Sequence, residues 1–245
     1  MCIKKLKPED LKEQIDTIKN EGIFLIEDFL KPNSLSEIKE EVIDYHNKNG
    51  ESYNFGSVYG INNTPNVQNL KQIQIFNKKW IKDLFLAINN NTEKGFYTSL
   101  YSTHDNKIND KLARNAFLHF DRNRSLKFFL YLNDVTEQNA AFYIQVKSNL
   151  IGSKLRKAAW RNMCPYPADG FFLKSVKKIF GMKYSDVKNR IELDYPDFFD
   201  STKLKPVEAK GGTLIVFDSD LFHKGGQIRK QGMERLVIRM HSYLS

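Results

Sequence analysis

A His-x-Asp motif, His119-Phe120-Asp121, has the residue types and spacing of a metal-binding pair. Successive side chains of a β-strand point to opposite faces, so His119 and Asp121 would share one face of a strand and Phe120 would lie on the other. His223, which follows an apolar strand pattern at residues 212–217, is the best candidate for a third ligand. Two histidines and one carboxylate form the facial triad of non-haem Fe(II) oxygenases, which leaves three coordination positions open. The sequence therefore predicts a metal site at His119, Asp121 and His223.

Short apolar segments with polar connections dominate the sequence from residue 116 onward, and they are typical of β-strands in a sandwich or barrel. Upstream, apolar residues at helical spacing predict two helices that flank a buried strand. We therefore expect a mainly β fold with flanking helices at the N-terminus. The predicted strands are 23–26, 116–120, 126–132, 141–146, 212–217 and 235–241, and the predicted helices are 8–20, 34–45 and 79–88.

Residues 150–206 depart from this pattern, because helical stretches alternate there with prolines and aromatic residues. A connection of this length inside a β domain usually has structure or a function of its own. We interpret it as a partly helical insertion that covers the mouth of the barrel. The length of the chain, 245 residues, is within the range of one β-barrel domain, so residues 1–245 are predicted to form a single domain.

The formal net charge of +9 comes from lysines and arginines scattered along the chain. This pattern is more typical of a solvated surface than of a nucleic-acid stripe, so no nucleic acid is expected, and an anionic small-molecule substrate stays open. No apolar run is long enough for a membrane span. With two cysteines, Cys2 and Cys164, a disulfide framework is not expected, and the predicted location is the cytoplasm. The oligomeric state stays open.

Three segments resemble the phytanoyl-CoA dioxygenase family of Fe(II)- and 2-oxoglutarate-dependent oxygenases: residues 118–141, 212–226 and 21–30. The resemblance implies a double-stranded β-helix, which is a jelly-roll or cupin-like barrel, with Fe(II), 2-oxoglutarate and O₂ at its open end. It also implies hydroxylation of a small molecule with release of succinate and CO₂. In this reading His119, Asp121 and His223 are the catalytic metal ligands.

The family resemblance further implies an arginine on a late strand that binds the far carboxylate of 2-oxoglutarate. Arg235 begins a predicted strand shortly after His223, and a guanidinium pairs with a carboxylate through two hydrogen bonds. Arg229 and Arg239 are the alternatives. Tyr131, on the strand after the His-x-Asp motif, is a second candidate for binding the co-substrate.

The sequence departs from the family pattern at Ala140-Ala141 and at residues 146–149, where relatives tend to carry a glycine and a Pro-Gly-Ser-His motif. The substrate is therefore not inherited from the family name. The acid at Asp121 favours hydroxylation over halogenation, since related halogenases carry a small residue there. Two other functions compete with this hypothesis: a catalytically silent β-barrel that binds a ligand or partner, and a nucleic-acid demethylase of the same barrel type.

Overall fold

The computed structural model describes residues 3–49, 51–53, 57–59, 74–96, 99–106, 108, 117–162 and 191–245. The described helices are α1 (Leu11–Glu21), α2 (Pro32–Asn49), α3 (Lys79–Ile88), α4 (Asn149–Asn162) and α5 (Ile191–Asp194). The strands are β1 (Ile23–Ile26), β2 (Glu51–Tyr53), β3 (Ser57–Tyr59), β4 (Ser99–Asp105), β5 (Ser125–Tyr131), β6 (Tyr143–Gln145), β7 (Leu204–Pro206), β8 (Leu214–Asp218), β9 (His223–Lys224) and β10 (Arg235–Tyr243).

Two antiparallel sheets form the framework of the fold. The larger sheet has seven strands in the order β1-β8-β5-β10-β4-β3-β2, and the smaller has three in the order β7-β6-β9. Each hydrogen-bonded pair of neighbouring strands is antiparallel. The prediction of a mainly β fold with flanking helices is thus confirmed.

Strand β5 shows how the larger sheet separates two apolar cores. Leu126, Phe128 and Leu130 belong to the core beneath the helices, which also contains Ile18 of α1 and Leu84 of α3. The alternate residues of the strand, which include Tyr131, face the space between the two sheets. There the second core contains Phe217 of β8 and Ile144 of β6. Because side chains alternate along a strand, one face of β5 packs against the helices and the other lines the interior between the two sheets.

The junction of α1 and β1 fixes the N-terminal edge of the sheet. Gly22 adopts a left-handed conformation with φ 84°, and its N–H donates to the carbonyl oxygens of Thr17 and Ile18. Because glycine has no Cβ, it can end a helix in this conformation at little cost. The chain then enters β1, which pairs with β8 in the register Ile23 opposite Phe217.

Two predicted segments differ from the observed structure. His119 forms an isolated antiparallel bridge with His223 instead of lying within a regular strand, and residue 116 of that predicted strand lies outside the described residues. In the predicted insertion, α4, α5 and two short 3-10 turns are helical. Residues 163–190 lie outside the described part, and β7 at the end of the segment belongs to the smaller sheet. Among the described helices, none has the length and apolar character needed to cross a membrane.

Candidate metal centre

His119, Asp121 and His223 lie together at one end of the space between the sheets. One ligand atom from each residue can be chosen so that all three atoms lie within 4.8 Å of one another. The Nε2 atom of His119 is 3.8 Å from Asp121 Oδ1, and Nε2 of His223 is 3.6 Å from the same oxygen. This donor set, two imidazole nitrogens and one carboxylate oxygen, fits a divalent iron ion with three further positions open.

Backbone pairing brings the two distant histidines together. The N–H of His119 donates to the carbonyl oxygen of His223 at 2.9 Å, and the reciprocal bond is 2.8 Å. The N–H of Asp121 donates to the carbonyl oxygen of Ser219 at 3.0 Å. The three candidate ligand residues are therefore held by main-chain hydrogen bonds between two chain segments that are far apart in sequence.

The histidine rings present their Nε2 atoms to the centre because their Nδ1 atoms are engaged elsewhere. Nδ1 of His119 lies 2.8 Å from the carbonyl oxygen of Phe117, and Nδ1 of His223 lies 2.7 Å from that of Leu221. A carbonyl oxygen only accepts, so each Nδ1 carries the hydrogen and each Nε2 keeps its lone pair for a metal.

The charges of the site favour the ligand forms of these side chains. Burial by itself raises the pKa of Asp121, but Lys127, His223 and His119 outweigh burial and hold that pKa well below its usual value. Burial, followed by the positive charge of Lys127, lowers the pKa of His223. The carboxylate is therefore ionised and His223 neutral at neutral pH, which are the forms that bind metal.

Lys127 is a member of this centre that the sequence-based prediction missed. Only 5% of the residue is exposed, and its Nζ lies 2.6 Å from Asp121 Oδ2 and 3.1 Å from His223 Nε2. The available signal was a lysine within the apolar strand pattern of β5, on the same face as Phe129 and Tyr131. A buried lysine requires an anionic partner, so this position could have been marked as part of a polar site.

Strand β10 contributes further polar side chains to the interior. His241 lies opposite Lys127 in the register of β10 with β5, and Arg239 lies opposite Phe129. The Arg239 guanidinium is 5.7 Å from the centroid of the Phe129 ring, and its Nη2 donates to Thr103 Oγ1 at 2.5 Å. Burial, followed by Lys127 and Arg239, lowers the pKa of His241 well below its usual value.

Arg235 and Tyr131, the two residues predicted to bind the co-substrate, lie toward the other end of these strands. Arg235 Nε donates to Asp105 Oδ2 at 2.8 Å, and Nη1 donates to the carbonyl oxygen of Ala140 at 2.6 Å. Tyr131 is fully buried, and its hydroxyl donates to the carbonyl oxygen of Val207 at 3.2 Å. Arg229, the other alternative, pairs with Glu137 at 2.8 Å and is half exposed.

A cavity of about 460 Å³ with four cationic side chains on its wall lies next to the His-x-Asp segment. Two of these cations are balanced by buried acids: Arg124 pairs with Asp218 at 2.5 Å, and Arg156 pairs with Asp220 at 2.6 Å. The other two cationic side chains also line the cavity. The four cations are Arg122, Arg124, Arg156 and Lys157.

The close approach of α4 to the segment before His223 explains the position of Arg156. Gly152 of α4 lies so near the backbone that a Cβ at this position would collide with the carbonyl oxygen of Asp220. One helical turn later, Arg156 reaches the Asp220 carboxylate through two hydrogen bonds, at 2.6 and 3.0 Å. The helix of the predicted insertion thus braces the chain that leads into the distal histidine.

Known structures share this fold over nearly the whole chain. The carbocyclase SnoK, described as non-haem and alpha-ketoglutarate-dependent, matches with a TM-score of 0.63 and 13% identity, covering 98% of this chain and 87% of its own. EctD from S. alaskensis, solved with 2-oxoglutarate and 5-hydroxyectoine, matches with a TM-score of 0.62 and 10% identity, covering 97% and 77%. The epimerase SnoN, solved with Fe³⁺, alpha-ketoglutarate and nogalamycin RO, has a TM-score of 0.59 and 10% identity, covering 97% and 85%.

No match is found among curated proteins. The sequence profile of the phytanoyl-CoA dioxygenase (PhyH) family, in contrast, matches residues 18–236 of this chain. This range contains the His-x-Asp motif, the distal histidine and all strands from β1 to β9. The expected family and fold are therefore confirmed: this chain belongs to the phytanoyl-CoA dioxygenase family, and its class is that of the iron- and 2-oxoglutarate-dependent oxygenases.

Proposed function

We propose that this protein hydroxylates a small molecule with Fe(II) bound by His119, Asp121 and His223, and with 2-oxoglutarate and O₂ as co-substrates. The observation that carries the proposal is that Nε2 of His119, Nε2 of His223 and a carboxylate oxygen of Asp121 lie close together. In both histidines Nδ1 carries the hydrogen, so Nε2 is available to a metal. When bound, iron and 2-oxoglutarate supply the oxidation of a substrate C–H bond with release of succinate and CO₂.

The chain itself supplies orientation and the exclusion of water. The hydrogen bonds from Nδ1 of His119 and His223 to backbone carbonyl oxygens fix both imidazole rings. Without metal, Lys127 Nζ contacts Asp121 Oδ2, while Oδ1 faces the two histidines. Phe217 is fully buried and packs its ring against His223 with a centroid distance of 5.4 Å.

An inward-facing arginine of β10 is proposed to bind the far carboxylate of 2-oxoglutarate. Arg235 is the residue predicted from sequence, but it already has an anionic partner in Asp105. The spacing along β10 favours Arg239. Arg239 is two residues from His241, a distance of roughly 7 Å along the strand, whereas Arg235 is six residues from His241, a distance of roughly 20 Å. A five-carbon dicarboxylate spans four carbon–carbon bonds of about 1.5 Å each, which matches the shorter interval. Tyr131 stays a prediction as a second contact.

Turnover of 2-oxoglutarate tests the proposed function. Anaerobic addition of Fe(II) and 2-oxoglutarate is expected to produce a weak visible charge-transfer band, and admission of air is expected to release succinate. Mass spectrometry of metabolite mixtures after the reaction would identify the product that gained an oxygen atom. A folded wild-type protein that gives neither the band nor succinate would support the alternative, a catalytically silent binding barrel.

The basic cavity supports an anionic substrate, which we propose as a phosphate- or carboxylate-bearing metabolite. Lys157→Glu reverses one charge of the wall and is expected to raise KM for such a substrate about tenfold with little change in kcat, because Lys157 is not one of the proposed metal ligands. Lys154→Glu, an exposed position of the same helix outside the cavity, is the matched control.

Paired substrates measure this preference directly. Succinate release is compared for metabolites with and without their phosphate or carboxylate group. A preference for the uncharged member of each pair, or equal effects of the two lysine substitutions, would contradict the anionic assignment.

Two broader features of the proposal concern the whole chain. We propose one domain over residues 1–245, supported by the presence of β1 from the N-terminal part and β10 from the C-terminal part in one sheet. The cytoplasm is the proposed location, supported by the low cysteine content.

A further inference from the structure

Lys127 lies inside the metal centre, where a second cation is unfavourable. Among the lysines whose burial the structure describes, it is the one that is buried. Its Nζ contacts two of the three metal-ligand side chains, Asp121 and His223, and lies 5.5 Å from the centroid of the Phe217 ring. A lysine side chain has a flexible stem of four carbons, so its ammonium can exchange one partner for another without movement of the strand.

Charge balance changes when a metal enters this centre. Without metal, the negative charge of Asp121 compensates the positive charge of Lys127. A divalent ion bound to Asp121 adds two positive charges to a largely buried site, and Lys127 then lies near a second cation. Buried charges are strongly unfavourable unless they are compensated, so the metal-bound centre favours an incoming dianion. Carboxylic acids ionise far below neutral pH, and 2-oxoglutarate is such a dianion.

We propose that Lys127 binds a carboxylate of the 2-oxo acid co-substrate, and so exchanges Asp121 for the co-substrate when the metal is bound. This inference rests on the proposed function and adds a residue to it. The ammonium has three hydrogen-bond donors, so once it leaves Asp121 Oδ2 it can serve both oxygens of a co-substrate carboxylate. Lys127 therefore opposes the binding of metal alone and favours the binding of metal together with the dianion.

Titration of Ni²⁺ and 2-oxoglutarate by calorimetry tests the inference without turnover. The affinity for Ni²⁺ is measured alone, and the affinity for 2-oxoglutarate is measured on the Ni²⁺-loaded protein. The variants are Lys127→Met, Lys127→Gln and Lys127→Arg, with Lys205→Met, at an exposed position of β7, as the matched control. Circular dichroism checks that each variant is folded. The glutamine variant removes the charge but retains a donor, and it replaces the methionine variant if that protein does not fold.

The two affinities are expected to change in opposite directions. Loss of the ammonium should leave Ni²⁺ binding unchanged or tighter, because a competing cation is gone. Binding of 2-oxoglutarate to the Ni²⁺-loaded protein should weaken about 10- to 100-fold, as for the loss of a charge-assisted hydrogen bond. Lys127→Arg should retain most of the co-substrate affinity, and Lys205→Met should match the wild type in both measurements.

Other results would overturn the inference. If the uncharged variants bind Ni²⁺ more weakly than the wild type, Lys127 serves to position Asp121 and not to receive the co-substrate. Unchanged 2-oxoglutarate affinity in the Ni²⁺-loaded uncharged variants would show that its carboxylates bind elsewhere. A folded wild-type protein without affinity for Ni²⁺ would overturn the proposed function together with this inference, so the two failures are distinguishable.

Discussion

Asp121→Asn is expected to abolish 2-oxoglutarate turnover and to weaken metal binding by more than roughly a hundredfold. Loss of an outer partner of a metal ligand already costs about 10- to 100-fold in affinity or activity, and loss of the ligand itself costs more. The substitution removes the anionic oxygen that lies 3.6 to 3.8 Å from both histidine Nε2 atoms. Calorimetric titration with Ni²⁺ and measurement of succinate release would report the two effects separately.

The same substitution also removes the anionic partner of Lys127. Breaking a buried ion pair on one side costs about 3 to 5 kcal/mol, so Asp121→Asn is expected to lower the free energy of unfolding. The double variant Asp121→Asn/Lys127→Met removes both charges and should recover part of that stability while binding metal poorly. Asp197→Asn, an exposed acid in a short 3-10 turn, is the control for both measurements. Retained turnover in a folded Asp121→Asn protein would contradict the assignment of the triad.

Arg239→Met is expected to weaken 2-oxoglutarate binding about 10- to 100-fold, because a guanidinium–carboxylate pair is a charge-assisted, often two-fold hydrogen bond. Arg239 lies two residues from His241, the neighbour of Lys127 across the strands. The measurement is the affinity of the Ni²⁺-loaded protein for 2-oxoglutarate. Because Arg239 does not contact the proposed ligands in any described hydrogen bond, the affinity for Ni²⁺ alone should change little.

Arg235→Met is the matched comparison on the same face of β10. Its guanidinium is paired with Asp105 and with the carbonyl oxygen of Ala140. Its loss is therefore expected to lower the free energy of unfolding, since Asp105 is left without that partner in a largely buried site. A larger loss of 2-oxoglutarate affinity in Arg235→Met than in Arg239→Met would restore the arginine predicted from sequence and contradict the choice of Arg239.

Some residues of the candidate site could be predicted from the sequence, and others could not. His119 and Asp121 share a face because they are two residues apart in extended backbone, which is a local property. His223 was proposed as the third ligand from its place after an apolar strand pattern, and the resemblance to the family supported it and added an arginine beyond it. Lys127 was not predicted: a lysine in an apolar strand indicates a polar site, but it does not identify the distant residues, Asp121 and His223, that it contacts.

The short-range features of this protein follow from local patterns in its sequence. Local apolar patterns predicted α1, β1, β5 and β8. These features depend on neighbours one to four residues apart, whose spacing is set by the geometry of helix and strand.

Which distant residues meet depends on the tertiary fold. The pairing of His119 with His223, the position of Lys127 between Asp121 and His223, and the relation of Arg239 to His241 all depend on strand register. A shift of one residue would turn each of these side chains to the other face of its strand. Register is fixed by packing across both cores and by the connections between strands, so it is a property of the whole fold.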